Sequence, residues 1–311
     1  MDKNSHPEFH KSFYRPRYWS TWLGLWFFRI LGALPISIGL AFGRVLGDLF
    51  FLLARSRRRI AEVNIALCFP HLSAQEQHLL VRKIMHSTGK SVLETAMALW
   101  GSESKFKNRY TITGLEHIIA AQAKGQGVLL VGCHFTTLDA AARILAFHLK
   151  FDMLYRKDPN PVFAYNLVSA RESFAGNAIA RTDTRQLIKN LRHGNVVWYA
   201  PDQDYGPRHS VFAPFFGVQA ATVVATARIA ALGKAVVIPF AHYRDENNHY
   251  QLVIEAPLED YPTDDDVADA TRINQYFETA IAKHPDQYLW VHRRFKTRPE
   301  GEASFYAKRK S

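Results

Sequence analysis

GVLLVGCHFTTLD, residues 127–139, is the stretch from which the fold of this chain can be read. Its apolar run, 128–132, reads as a buried strand, and TTLDAAARILAFHL at 136–149 carries the pattern of the helix that follows. The turn between them delivers His134 and Asp139. Positions five apart in a regular helix point roughly 140° away from each other. His134 is therefore expected in the turn and Asp139 in the first helical turns, with its carboxylate reaching back to the imidazole. A His held by a carboxylate is the unit that activates a hydroxyl by general-base catalysis.

Outward from this stretch, short apolar runs alternate with amphipathic patterns: FDMLYR (151–156), the YNLVSARESF region (165–174), VVWYAP (196–201), TVVATARIAALG (222–233), AVVIPF (235–240) and YQLVIE (250–255). Continuous apolar strands between helices predict an α/β fold, a mixed, largely parallel sheet flanked by helices. Ligands gather at strand ends in such sheets, and His134, Arg156, Asp202 and Asp204 all follow apolar runs. Arg156 and Lys157 read equally as phosphate-binding groups and as exposed surface cations. In PDQDYG (201–206) the two carboxylates more readily order a turn by bonding backbone amides than hold a metal. VFAPFFGV (211–218) reads as an apolar loop, and His242 as a hairpin or surface histidine.

Residues 1–18 form a polar basic arm. The apolar segment 19–54 follows, and Pro35 divides it into helices 19–34 and 36–54. The charge-free run 30–43 falls short of the roughly 20 residues of a bilayer-crossing helix. Trp19, Trp22 and Trp26 recur at helical spacing, as in interfacial anchoring. We read the segment as a retained membrane anchor, spanning once or lying in one leaflet, with Arg44 and Asp48 facing each other four residues apart. Residues 55–311 are the α/β domain, beginning with helices over 55–108. RSRRR (55–59) leads into the first, and Ser73 with Glu76 gives a capping-box start to a long amphipathic helix.

The 39 Lys+Arg against 28 Asp+Glu, a formal charge of +11, point to an anionic partner. An aromatic content of 13% and the lack of a recognition module argue against nucleic acid and for a large apolar contact surface. The two cysteines, Cys68 and Cys133, give neither a disulfide framework nor a four-cysteine zinc site.

The ordered set GVLLVGCHFTTLD with its His-x4-Asp spacing, YRKDPNP (155–161), VVWYAPDQDYGPRHSVFAPFFGV (196–218), AVVIPF and QYLWVHRRFKTRP (287–299) resembles the late acyltransferases of lipid A biosynthesis, within the lysophospholipid acyltransferase superfamily. The resemblance extends through the amino-terminal anchor and RIAEVNIALCFP (59–70). It implies transfer of a fatty acyl group, lauroyl favoured, from acyl carrier protein to a hydroxyl of a 3-hydroxyacyl chain on a Kdo-containing lipid A precursor. The enzyme would work at the cytoplasmic face of the bacterial inner membrane. His134 is then the base and Asp139 its orienter. Arg156 would stabilise an oxyanion or bind a phosphate, with Lys157 and Arg181 as further phosphate candidates and Asp202 shaping the cleft wall. No cofactor or metal is implied. The alternative is a hydrolase of acyl thioesters or phospholipids that uses the same pair on water. Cys133 as a covalent nucleophile is disfavoured, because neighbours in an extended strand face opposite sides.

Overall fold

The structure, a computed structural model, describes residues 7–307. The first six residues of the basic arm and the end of the basic tail, 308–311, lie outside it. Two helices, α1 (Trp19–Ala33) and α2 (Ile36–Leu53), flank Pro35, which at φ −53° and ψ 141° cannot continue the first. Next come α3 (Arg55–Cys68) and the long α4 (Ala74–Trp100). The start of α4 is fixed by Ser73 and Glu76, whose side chains each accept from the other's backbone N–H, at 3.3 and 2.8 Å. Such a cap contributes about 1 kcal/mol.

The α/β part runs β1 (Tyr110–Thr113), α5 (Leu115–Ala123), β2 (Gly127–Gly132), α6 (Leu138–Leu145), β3 (Asp152–Tyr155), α7 (Pro161–Glu172), β4 (Ala178–Ala180), α8 (Thr184–Arg192), β5 (Val196–Tyr199), β6 (Ser210–Phe215), β7 (Val218–Val223), α9 (Ala225–Gly233), β8 (Ala235–Arg244), β9 (Tyr250–Ile254) and α10 (Asp266–Lys283). Among the described residues seven strands form one sheet in the order β1-β9-β8-β2-β5-β3-β4. It is parallel from β8 to β4, and only the β8–β9 pairing is antiparallel. The expected mixed, largely parallel sheet is the one observed. β2 lies in the middle, paired with β5 through Val128↔Val196 and with β8 through Val128↔Val236.

Alternation along these strands divides the core in two. Val128, Leu130, Trp198 and Phe240 pack with α4, α5 and α6 on one face; Leu129, Val131, Cys133 and Val197 pack against α3, α8, α9 and α10 on the other. Covering on both faces explains why the strands read as continuous apolar runs. The stretch read as a loop, 211–218, is instead the β6–β7 hairpin. Its two-residue turn, Phe216 and Gly217, takes positive φ at both positions (49° and 74°), the twist that tight hairpins favour.

α2 lies directly on α4. A Cβ added to Gly43 would come within 2.7 Å of the Lys90 Cα, and one added to Gly47 within 2.5 Å of the His86 Cα. The opposite side of α2 exposes Ile38, Phe42, Val45, Leu49 and Leu52, and α1 likewise exposes Trp19, Leu23, Trp26, Phe27 and Ile30. Large apolar side chains exposed in this number mark an interaction face. Asp48 does not pair with Arg44 as its spacing suggested. It accepts from Arg82 (3.0 Å) and His86 (2.8 Å), because contact with α4 brings those groups closer than the helical neighbour.

Candidate active site

His134 follows the end of β2 and is held by the chain from both sides. Its carbonyl accepts from Leu289 N–H at 3.0 Å, while Thr136 N–H donates to the Gln287 carbonyl at 2.7 Å. The QYLWV segment thus acts as a brace for the turn. Cys133 points into the opposite core, and burial, with the Asp202 charge adding to it, pushes its thiol well up. It does not line the cavity that His134 faces.

The carboxylate that meets the imidazole is Asp202. Its Oδ1 lies 2.6 Å from His134 Nδ1, its Oδ2 accepts the His134 backbone N–H at 3.0 Å, and Tyr288 donates to it as well. Asp202 is buried, arriving just past β5, the immediate neighbour of β2. Burial alone would raise its pKa, but the His134 charge and these hydrogen bonds outweigh it and hold the carboxyl below its ordinary value. In turn burial opposes a charge on His134, and the Asp202 carboxylate more than offsets that, raising the imidazole pKa. With Nδ1 donating to Asp202, Nε2 is the nitrogen left for chemistry.

Asp139, the expected partner of His134, lines the same cavity but bonds elsewhere. Its Oδ1 accepts from Arg171 Nε (3.1 Å) and Nη2 (2.8 Å), and its Oδ2 accepts from Thr95 at 2.9 Å. The correction has a geometric cause. Asp139 is the second residue of α6, and its side chain is drawn toward α4 and α7, which carry Thr95 and Arg171, while the turn delivers His134 to the neighbouring strand end.

His134 opens onto a cavity of about 290 Å³. Leu138 and Ala142, one helical turn apart on α6, line it together with Met153 and Trp198. Ala142, Met153 and Trp198 are buried and form its apolar interior. Arg156, Arg181 and Tyr205 are exposed and form the mouth, with Arg181 lying over the Tyr205 ring at 5.6 Å. Lys157 is exposed and outside the lining. Arg171, Trp198 and Tyr205 escaped the sequence reading, since none stands in a local pattern that distinguishes it from a surface or core residue.

One further expectation changes. His242 is fully buried in β8, not on the surface, and bonds through Nδ1 to Thr137 Oγ1 at 2.8 Å, just before α6. Burial, reinforced by the nearby His134, pushes its pKa down to about 3. As expected, Asp204 orders the PDQDYG turn through a backbone amide, its Oδ1 accepting the Gly206 N–H at 2.8 Å; it also accepts from Thr297 N–H (2.6 Å) and hydroxyl (2.8 Å), tying the loop to the carboxy-terminal segment. Among the described residues, no group of three His, Cys, Asp or Glu side chains is arranged to hold a metal ion.

A carboxylate-held imidazole beside an apolar cavity with cations at its mouth suits acyl transfer in a lipid, and the chain is an acyltransferase. It belongs to the bacterial lipid A biosynthesis acyltransferase family, whose model matches residues 6–297. It is 39% identical over 302 residues to the lipid A biosynthesis lauroyltransferase of Escherichia coli (strain K12), covering 96% of this chain and 99% of that one. The palmitoleoyltransferase of the same strain is 35% identical over 301 residues (96% and 98% covered), and its myristoyltransferase 33% over 307 residues (97% and 95%). These relatives are named for three different acyl groups.

Proposed function

We propose that this enzyme transfers a lauroyl group from acyl carrier protein to the hydroxyl of a 3-hydroxyacyl chain on a Kdo-containing lipid A precursor, with His134 as general base. The observation that carries the proposal is the 2.6 Å bond from His134 Nδ1 to buried Asp202, which leaves Nε2 for the reacting groups at an apolar cavity. Nε2 takes the acceptor hydroxyl proton as the oxygen attacks the thioester carbonyl. The tetrahedral oxyanion collapses with cleavage of the C–S bond, and the imidazolium returns its proton to the departing thiolate. Asp202 fixes the tautomer and stabilises the imidazolium. Arg156 at the cavity mouth stabilises the oxyanion or engages an acceptor phosphate, assisted by Arg181; Lys157 is a more distant phosphate contact. Asp139 serves by holding Arg171 in the cavity wall.

The lauroyl donor is supported by the 39% identity over 302 residues to a relative named a lauroyltransferase. The exposed apolar faces of α1 and α2 support action at a membrane, and a carrier-protein donor places the enzyme on the cytoplasmic face of the inner membrane.

Mass spectrometry of the products formed from equimolar lauroyl-, myristoyl- and palmitoleoyl-acyl carrier protein with a Kdo-lipid A precursor tests this reading. Acceptor-dependent laurate transfer is expected. Equal thioester consumption with and without acceptor would replace it by a hydrolase.

A further inference from the structure

We infer that α1 and α2 form one in-plane, monotopic membrane-binding face, and that α2 does not cross the bilayer although its length and composition would allow it. The inference rests on the membrane reading above and specifies its geometry.

α2 has 18 residues and a mean hydropathy of 1.8. At 1.5 Å per residue it measures about 27 Å, close to the ~30 Å hydrocarbon core. Its packing is what rules out a span. The backbone-to-backbone approach at Gly43 and Gly47 ties it along α4 from Lys90 to His86, so lipid surrounding α2 would have to take in that part of α4 as well. This part carries His86 and Lys90, Arg82 and Lys83 stand one turn before it, and Asp48 of α2 already accepts from Arg82 and His86. Four residues beyond Lys90, buried Glu94 pairs with Arg244 of β8 and accepts from Tyr250 of β9. A crossing α2 would therefore bring a charged helix, and the strand ends of β8 and β9 that Glu94 ties to it, toward hydrocarbon, which is costly.

The outward side of α2 has the opposite character. Five of the large apolar residues it exposes, at 38, 42, 45, 49 and 52, fall on a single line along the helix, and its exposed Arg44 stands away from that line. Val45 is 63% exposed and Leu52 62%. On α1, Trp19 and Trp26 are 64% and 60% exposed, as suits rings at headgroup depth. Exposed cations stand before α1 (Lys11, Arg15, Arg17) and after α2 (Arg55, Arg57). Both ends of the segment thus complement anionic headgroups, as an in-plane face requires.

The same frame carries the active site. Asn160, the cap of α7, donates to Thr21 of α1 at 2.8 Å, and α7 presents Arg171 to the cavity. An acceptor lipid in the leaflet that α1 and α2 enter reaches His134 without crossing the membrane.

Cysteine reporters test the topology, because native Cys68 and Cys133 are buried and leave a low background. Lys11→Cys and Ser56→Cys, at exposed positions before α1 and after α2, would be expressed in the full chain. Sealed inside-out and right-side-out inner-membrane vesicles are then treated with a membrane-impermeant maleimide. Both reporters should react in inside-out vesicles, and neither in right-side-out vesicles until detergent is added. Reaction of the two from opposite sides would overturn the inference and leave membrane binding intact; recovery of the protein wholly in the soluble fraction would refute the membrane reading itself. The double variant Val45→Lys/Leu49→Lys should lower binding to phosphatidylethanolamine/phosphatidylglycerol vesicles at least tenfold with an unchanged circular dichroism spectrum. Unchanged binding would overturn the role of the α2 face.

Discussion

Replacing Asp202 by Asn keeps the shape of the group facing His134 Nδ1 and removes its charge. In the native enzyme the two atoms are 2.6 Å apart with the carboxylate buried. Unit charges centred ~4 Å apart in an effective dielectric of ~20 attract by about 4 kcal/mol. The neutral amide retains a hydrogen bond worth about 1 kcal/mol, so the imidazolium loses about 3 kcal/mol, roughly a hundredfold in rate. The amide also lets an N–H face Nδ1, which would put the ring proton on Nε2, the wrong tautomer for a base. Turnover by the variant should therefore fall by roughly a hundred- to a thousandfold, with little change in KM. The pH profile adds an independent readout. Asp202 raises the His134 pKa, so the acid limb of wild-type turnover should lie above the ordinary His value of 6.5. In Asp202→Asn burial is left to act alone, and the limb should move to lower pH. The stability linkage follows the same sign: a raised folded-state pKa stabilises fully below 6.5 and fades as pH rises through the folded value. The variant should therefore lose most stability under acidic conditions. Transfer assays and denaturation from about pH 5 to 9, a range that spans the histidine titration, measure both effects. Activity within fivefold of wild type, or an unmoved acid limb, would refute the assignment of Asp202 as orienter.

Other perturbations separate the remaining roles. Asp139→Asn should leave the acid limb in place while lowering turnover through a displaced Arg171; removing one partner of so enclosed a pair costs about 3 kcal/mol, visible in thermal melts. His242→Gln should flatten the loss of stability on acidification. Native His242 stays neutral down to about pH 3 while the unfolded chain protonates near 6.5, so wild type loses on the order of 5 kcal/mol between those limits. Melts at about pH 4.5 and 7.5, on either side of the unfolded-state titration, compare the two proteins.

How much of this was legible depended on how locally each feature is encoded. The strand, turn and helix around His134 lie within one short stretch, and the sheet follows from apolar runs of strand length. The partner of the histidine does not: Asp202 is 68 residues away and reaches it only because β5 pairs with β2. The His-x4-Asp spacing pointed to Asp139, yet Thr95 and Arg171, brought in by α4 and α7, claim that carboxylate. The expected pairing of Arg44 with Asp48 gave way similarly to Arg82 and His86 of the packed helix. Pro214 and the adjoining aromatic residues obscured the β6–β7 hairpin, whose tight turn decides the structure there.

Acyl transfer by this enzyme, as proposed, depends on a lipid hydroxyl losing its proton to His134. The most direct test is acceptor-dependent transfer by membrane-bound His134→Ala protein, assayed beside wild type with acyl carrier protein thioester and Kdo-lipid A precursor. A loss of at least a thousandfold in transfer, with the variant still folded and still in the membrane fraction, is predicted; transfer within tenfold of wild type would contradict it.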